Sequence, residues 1–107
     1  GNTAVLIASE ARPLSAITLA EVLATSDVPA GVVNILTGKK SELVPWLASH
    51  MEVDALDITG ADRKSDVEIK RSGVENLKRI HHFTSDATPS RILSFMEYKT
   101  VWHPIGT

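Results

Sequence analysis

Three short apolar runs, separated by stretches with helical periodicity, dominate the pattern of the chain. The runs cover residues 4–8, 31–38 and 55–60, and the central run is β-branched at its start and ends at a glycine. Apolar runs with little alternation are typical of parallel strands that are covered on both faces. Helical patterns in the two gaps complete a βαβαβ unit, centred on the middle run.

The stretches between the runs carry signals for helices. Apolar residues recur at helical spacing over residues 16–23, and Pro13 suits the first turn of the helix that this spacing predicts. In the second gap, Ser41 is the expected N-cap and Trp46 lies on the expected buried face. A third, less regular helix is predicted after Gly60.

The last third of the chain is less regular. Residues 76–83 predict a fourth strand that is anchored by Leu77 and Ile80, and residues 91–98 fit a short helix better than a strand. Residues 99–103 predict a final strand. The whole pattern fits one α/β domain through about residue 86, followed by a tail.

Composition narrows the classes of function. The chain has 107 residues, a formal net charge of -2 and no cysteine. This balance of charge gives no basic field for a nucleic acid, and the absence of cysteine excludes disulfides, thiolate zinc sites and a cysteine nucleophile. No apolar run approaches the ~20 residues of a membrane span. We therefore expect a cytoplasmic domain with neither nucleic acid nor membrane as a partner.

Several segments resemble motifs of the NAD(P)-dependent aldehyde dehydrogenases, in the same order along the chain. The first three motifs are GNTVVLKPSE, PLTA and LPPGVVNVVTG, which resemble residues 1–10, 13–16 and 28–38. The other four are ASHPDVD, FTGS, NLKRV and EVKTVW, which resemble residues 48–54, 59–60, 76–80 and 97–102. Each match is short, but together they identify the chain as a member of this family.

The resemblance implies a Rossmann-like nucleotide-binding fold. We expect a parallel sheet of three to four strands with flanking helices, plus a C-terminal tail strand. Residues 1–86 would form the Rossmann-like domain, as a fragment of a longer protein. Residues 87–107 would form a C-terminal oligomerisation tail, because the matching family segment serves oligomerisation.

The resemblance also implies that the catalytic centre is missing. In the family, the strand after NLKRV ends in ELGG, whose Glu is the general base; here Phe83 occupies that position, and Ser85 and Asp86 stand where the glycines would be. The family's nucleophilic cysteine lies in a domain between that strand and EVKTVW, and this domain has no counterpart here. Acyl transfer through a thiohemiacetal needs both a thiolate and a base. We therefore assign no catalytic residue and interpret Phe83 as a core side chain.

A degenerate NAD(P) site is the cofactor site that the resemblance implies. Its residues would be Glu10, Gly38, Gly60 and Ala61. Glu10 matches the family's ribose-binding Glu, but Ile7 replaces the Lys beside it and has no hydrogen-bond donor.

The phosphate end of this site is changed as well. A helix beginning after Gly60 suits a phosphate through its free N–H groups, but Ala61 lacks the hydroxyl of the family's Ser. Asp62 then adds a carboxylate, which is either a plain N-cap or a competitor for the anion. We expect NAD(P) binding to be weak or lost.

Other polar residues carry no assigned site. His81 and His82 would point to opposite faces of a strand, and His103 lies far away in sequence, so no metal site is predicted. Lys39 and Lys40 follow a glycine without the pattern of a P-loop, and we interpret them as a solvated turn.

Three functions remain open at this point. The chain is a noncatalytic scaffold or association domain of the family, part of a working NAD(P)-dependent aldehyde oxidoreductase whose remaining parts lie outside this chain, or a nucleotide-binding module. The tail carries three aromatic residues within residues 95–102. An apolar strand without a partner favours pairing with another chain, so we expect a homo-oligomer or a partner subunit held through the tail.

Overall fold

Strands and helices alternate along most of the chain, which confirms the α/β class. The computed structural model describes residues 1–84 and 88–106. The elements in chain order are β1 (Ala4–Ile7), α1 (Leu14–Ala24), β2 (Val33–Leu36), α2 (Lys40–Ser49), β3 (Ala55–Asp57), α3 (Arg63–Gly73), a 3-10 turn (Val74–Asn76), β4 (Arg79–His81) and α4 (Pro89–Leu93). The predicted domain boundary at residues 86 and 87, together with Ser85, lies outside the described residues.

The four strands pair in twos rather than in the single sheet that we expected. β1 runs parallel to β2, with Ala4 opposite Val33, and β3 runs parallel to β4, with Ala55 opposite Arg79. α1 packs on β2, whereas α2 and α3 pack on each other and α3 packs on β4. Each strand pair is therefore tied to its own helices, and loop residues join the two halves.

The core of the chain is small and lies between α2 and α3. Ala48, Ile58 and Ile69 are its buried members, and each is at most 5% exposed. The small side chain of Ala48 lets the two helices approach closely. At the C-terminal end of α3, Gly73 lies against Ile80, where an added Cβ would come within 2.6 Å of the Ile80 Cδ1 atom.

Two predicted anchors of the core are wrong. The side chain of Trp46 is 77% exposed, because α2 turns Val44 and Ala48 towards α3 instead. The side chain of Leu77 is 88% exposed, because Leu77 has a left-handed backbone with φ of 56° in the turn between the 3-10 helix and β4. Ile80, the other predicted anchor of this strand, does pack against the core.

The predicted tail strand is also wrong. Residues 97–106, all of which the structure describes, form neither strand nor helix. A strand needs a neighbouring strand for its N–H and C=O groups, and neither of the two small sheets pairs with this segment. The longest helices of the described residues have 11 residues, so none is long and apolar enough to span a membrane.

Two polar side chains fix the turn before β3. The Asn76 Nδ2 group donates a hydrogen bond to the Met51 carbonyl oxygen at 2.9 Å. The Lys78 ammonium donates to the carbonyl oxygen of His50, which is the C-cap of α2, and Lys78 is only 9% exposed. A cation at the negative end of a helix dipole is favourable. The NLKR segment therefore secures the C-terminal end of α2 and the entry to β3.

The strained backbone at Leu77 yields the first prediction. The variant Leu77→Gly should be more stable than the native chain by roughly 0.5–1 kcal/mol, because glycine removes the cost of the left-handed conformation and little packing is lost. Urea unfolding followed by circular dichroism measures the change. Leu77→Ala is the matched control, since it loses the same side chain but keeps the strain. Equal stability of the two variants would contradict this explanation.

Candidate functional site

A cleft of about 770 Å³ lies between α2 and α3. Its walls come from the turn after β1, one face of α2 from Lys40 to Ala48, the loop before α3 and one face of α3. The segments that follow β1 and β3 both reach it, so it lies at the carboxyl end of parallel strands, where α/β folds bind ligands. Its volume falls within the range of small-molecule sites.

Lys40, the first residue of α2, connects the segments that follow β1 and β3 at the mouth of this cleft. Its backbone N–H, at the first turn of α2, donates a hydrogen bond to the carboxylate of Glu10. Its ammonium group donates to the Gly60 carbonyl oxygen at 2.9 Å. A carboxylate at the N-terminus of a helix is favoured by the free N–H groups and by the dipole of the helix.

The predicted solvated turn is therefore correct for Lys39 and wrong for Lys40. Lys39 forms a 3.6 Å ion pair with Glu42, and both side chains are more than 70% exposed. Lys40 is half-buried and bonded to two other loops. No local pattern in the sequence could have indicated this, because Glu10 lies 30 residues away from Lys40.

The structure brings together most of the residues predicted for the cofactor site. Glu10 and Ala61 line the cleft, and Gly60 reaches it through its hydrogen bond with Lys40. Gly38 lines a smaller neighbouring recess of about 280 Å³ that also touches Glu10. The predicted residues thus form one region around Lys40, distributed over two adjoining recesses.

Acidic side chains outnumber basic ones in the lining of the cleft. Among the described residues that line it, the carboxylates are those of Glu10, Asp62 and Glu68, and the cation is Lys40. Asp62 occupies the N-cap position of α3, but its side chain makes no capping hydrogen bond to the described residues. The simple capping role is therefore wrong for the Asp62 side chain, and its carboxylate adds negative charge where a phosphate would have to approach.

Phe83 belongs to a second cluster, away from the cleft. Its ring stacks on His81 with centroids 5.6 Å apart, and its backbone N–H donates to the Thr59 Oγ1 atom at 2.9 Å. The Phe95 ring lies 6.3 Å from it. Phe83 is half-buried, so it packs as expected of an apolar side chain, but in an aromatic cluster separate from the α2–α3 core.

An ion pair lies beside this aromatic cluster. The Arg91 guanidinium bonds to the Oδ2 atom of Asp57, and the Thr59 N–H donates to the Oδ1 atom of Asp57 at 2.9 Å. Partial burial raises the pKa of the Asp57 carboxyl, but the hydrogen bonds from Thr59 and the contact with Arg91 together outweigh burial and hold this pKa below its usual value. Asp57 therefore stays ionised to a lower pH than an ordinary Asp, whose pKa is about 3.9.

Comparison with known proteins finds relatives of this chain in one family. A family model described as "Aldehyde dehydrogenase family" matches residues 1–96. Among curated proteins, the chain is 39% identical over 80 residues to the "NADP/NAD-dependent aldehyde dehydrogenase PuuC" of Escherichia coli K12. It is 32% identical over 80 residues to "Aldehyde dehydrogenase, cytosolic 1" of Rattus norvegicus.

The match covers most of this chain but little of its relatives. The aligned residues are 75% of this chain and 16% of each of these two relatives. Among solved structures, the aldehyde dehydrogenase of Bartonella henselae superimposes with a TM-score of 0.66 at 31% sequence identity, covering 73% of this chain and 16% of that one. The family resemblance found in the sequence motifs is thus confirmed.

The acidic lining of the cleft yields the second prediction. Isothermal titration of the native chain with NAD should give a Kd weaker than about 0.1 mM, because negative charge opposes the pyrophosphate. Asp62→Ser should strengthen binding by about two- to fivefold, since it removes a charge near the N-terminus of α3. Asp27→Ser, which removes an exposed charge in the loop between α1 and β2, is the matched control. A native Kd in the low micromolar range would contradict this interpretation.

Proposed function

The chain belongs to the aldehyde dehydrogenase family, and we propose that it acts as a noncatalytic scaffold or association segment built on the nucleotide-binding part of that fold.

The residues at the catalytic positions support the noncatalytic role. The sequence has no cysteine that could form a thiohemiacetal. At the position that the resemblance assigns to the general base, Phe83 packs against His81 and Phe95 and offers no proton acceptor.

The main support for an association role is the extent of the exposed surface. The accessible area is 8939 Å², whereas a compact monomer of this mass would expose about 5,800 Å². The radius of gyration is 16.6 Å, against about 13 Å for a compact domain of this length. The difference of about 3,000 Å² is several times the ~800 Å² that one partner buries in a standard interface. A chain of this shape gains stability when another polypeptide covers it.

The tail provides the most exposed apolar part of this surface. Tyr98, Trp102 and Ile105 are 84%, 89% and 95% exposed. Their backbone has no strand partner, so it can add to a sheet edge of another chain. We therefore propose a homo-oligomer or a partner subunit that is held through the tail. The same proposal places the chain in the cytoplasm, in line with the word "cytosolic" in the name of the rat relative.

The cleft supports a second candidate function. Glu10 and the N-terminus of α3 remain at the carboxyl end of the strands, and the E. coli relative is named as NADP/NAD-dependent. In this candidate the chain supplies a nucleotide-binding module, or one part of an aldehyde oxidoreductase whose other parts come from elsewhere. The NAD titration separates it from the first proposal.

The noncatalytic role predicts that the purified chain has no aldehyde dehydrogenase activity. A panel of aldehydes with NAD or NADP, followed at the absorbance of the reduced cofactor, should show no turnover above a protein-free blank, because both nucleophile and base are missing. A full-length family enzyme serves as the positive control. Turnover that survives repurification of the chain would refute the noncatalytic role.

The association role predicts that the chain is a dimer or larger in light scattering, well above its monomer mass of 11.6 kDa. Trp102→Ser should weaken association by about 2 kcal/mol, or roughly thirtyfold in the dissociation constant. The matched control is Trp46→Ser, which removes another highly exposed Trp, on α2 and 77% exposed. This variant should leave the mass unchanged. A chain that ends at Pro89 should be monomeric. A monomeric native chain, or an oligomer that survives this truncation, would contradict a role for the tail.

A further inference from the structure

The exposed side of α3 carries cations around one apolar side chain. Among the exposed residues of α3, Glu68 lines the cleft. The others, which we name the cationic face, are Arg63, Lys64, Val67, Lys70 and Arg71. On a helix, the surface neighbours of a residue lie three and four positions away. All four of these neighbours of Val67 are cations.

The cationic face is a surface separate from the cleft. α3 turns Ser65, Glu68 and Ser72 towards the cleft, and its buried residues are Ile69 and Gly73. The described residues that line the cleft include no member of the cationic face. Whatever binds to this face therefore does not compete with a ligand of the cleft.

Two valines give this face an apolar centre. Val67 is 71% exposed, and Val74, two helical turns further along, is 69% exposed. Apolar side chains are usually covered in a folded protein. An apolar centre that is surrounded by polar groups is the arrangement found in interfaces between polypeptides.

The cations of this face have few partners within the chain. Lys70 forms an ion pair with Asp66 at 3.5 Å, whereas Arg63, Lys64 and Arg71 form no ion pair with the described residues. Arg63 and Lys64 are also the first two residues of α3, where the positive end of the helix dipole opposes a cation. The stability of the isolated chain therefore does not explain these cations.

The rest of the chain carries the opposite charge. The sequence has 11 Lys and Arg residues and 13 Asp and Glu residues, and four of the cations lie on the cationic face. The acidic residues outnumber the remaining seven cations almost two to one. A positive patch on an otherwise anionic chain guides a small anionic partner to one place, while an extended polyanion or an anionic bilayer is repelled by the surroundings.

We propose that the cationic face binds an acidic segment of another polypeptide, in which carboxylates surround an apolar side chain. The carboxylates pair with Arg63, Lys64 and Arg71, and each arginine offers a fork of two donors to a carboxylate. The apolar side chain covers Val67 and Val74. Two copies of this chain do not pair through this face, because like charges would meet.

The acidic segment would belong to a polypeptide of the kind that the proposed association role requires, so the inference rests on that role and names a class of partner for it. The residues involved lie outside the tail. The two claims can therefore fail separately. A monomeric native chain that binds an acidic peptide would contradict only the role of the tail, and an oligomer that does not bind one would contradict only the present inference.

Fluorescence anisotropy of a labelled peptide tests the cationic face in the full chain. The probe is a short synthetic helix former with four glutamates around a leucine, at the same spacing as the cations around Val67. The same peptide with lysine in place of glutamate is the control. We expect saturable binding of the acidic peptide, weakened about five- to tenfold between about 50 and about 300 mM salt, and no binding of the basic one.

Two charge reversals assign the binding to α3. Lys64→Glu should weaken binding at least about tenfold, and the helix should stay intact because a carboxylate is favourable in a first turn. Lys39→Glu is the matched control, since it makes the same change of charge at the N-cap of α2, where the Lys39 side chain is 74% exposed. It should leave binding unchanged. Val67→Ser should weaken binding about three- to tenfold, because it removes the apolar centre.

Three results would overturn the proposal. The first is the absence of saturable binding of the acidic peptide to the native chain, and the second is an equal loss in Lys64→Glu and Lys39→Glu. The third is tighter binding of a double-stranded oligonucleotide or of phosphatidylserine vesicles that Lys64→Glu also abolishes. Peptide binding should persist in Trp102→Ser; its loss there would assign the binding to the tail and likewise overturn the proposal.

Discussion

The two hydrogen bonds made by Lys40 are the contact on which the arrangement of this chain depends. The strand pairs β1–β2 and β3–β4 do not share a ladder, and the halves meet where the Lys40 N–H binds Glu10 and its ammonium binds Gly60. One of these bonds engages the carboxylate of Glu10, a residue that the family motifs assign to the cofactor site.

The proposed role follows from how little of the chain is buried. A core with Ala48, Ile58 and Ile69 as its buried members supplies only a small part of the apolar burial that is usual for a domain of this length. In the aldehyde dehydrogenase fold this segment is a small part of a larger body, since it matches only 16% of its relatives. Exposed apolar surface on α1, β1 and the tail is what such a segment presents when it is considered alone.

Local periodicity predicted where the helices and strands lie better than it predicted which of them pack against each other. The three apolar runs became β1, β2 and β3. The second helix formed as expected, but Lys39 is its N-cap and it begins at Lys40, so the predicted N-cap at Ser41 is wrong. The pattern could not show which face of α2 would be covered, because that depends on the approach of α3, and so Trp46 was misplaced. Neither the left-handed turn at Leu77 nor the hydrogen bond from the Lys40 N–H to the Glu10 carboxylate has a local signal in the sequence. The family motifs indicated which residues lie around the cleft. Contacts between residues that are distant in sequence determine which charges line it.

The central proposal is that another polypeptide covers the exposed surface of the chain, and amide hydrogen exchange as a function of protein concentration tests most directly the case in which that polypeptide is a second copy. The amides of α2 and α3 serve as the internal reference, because their protection comes from within one chain. The account predicts that protection of residues 98–105 is low in dilute samples. This protection should rise as the protein concentration is raised into the range in which the chain associates. Tail amides that stay unprotected at every concentration, while α2 and α3 remain protected, would contradict it.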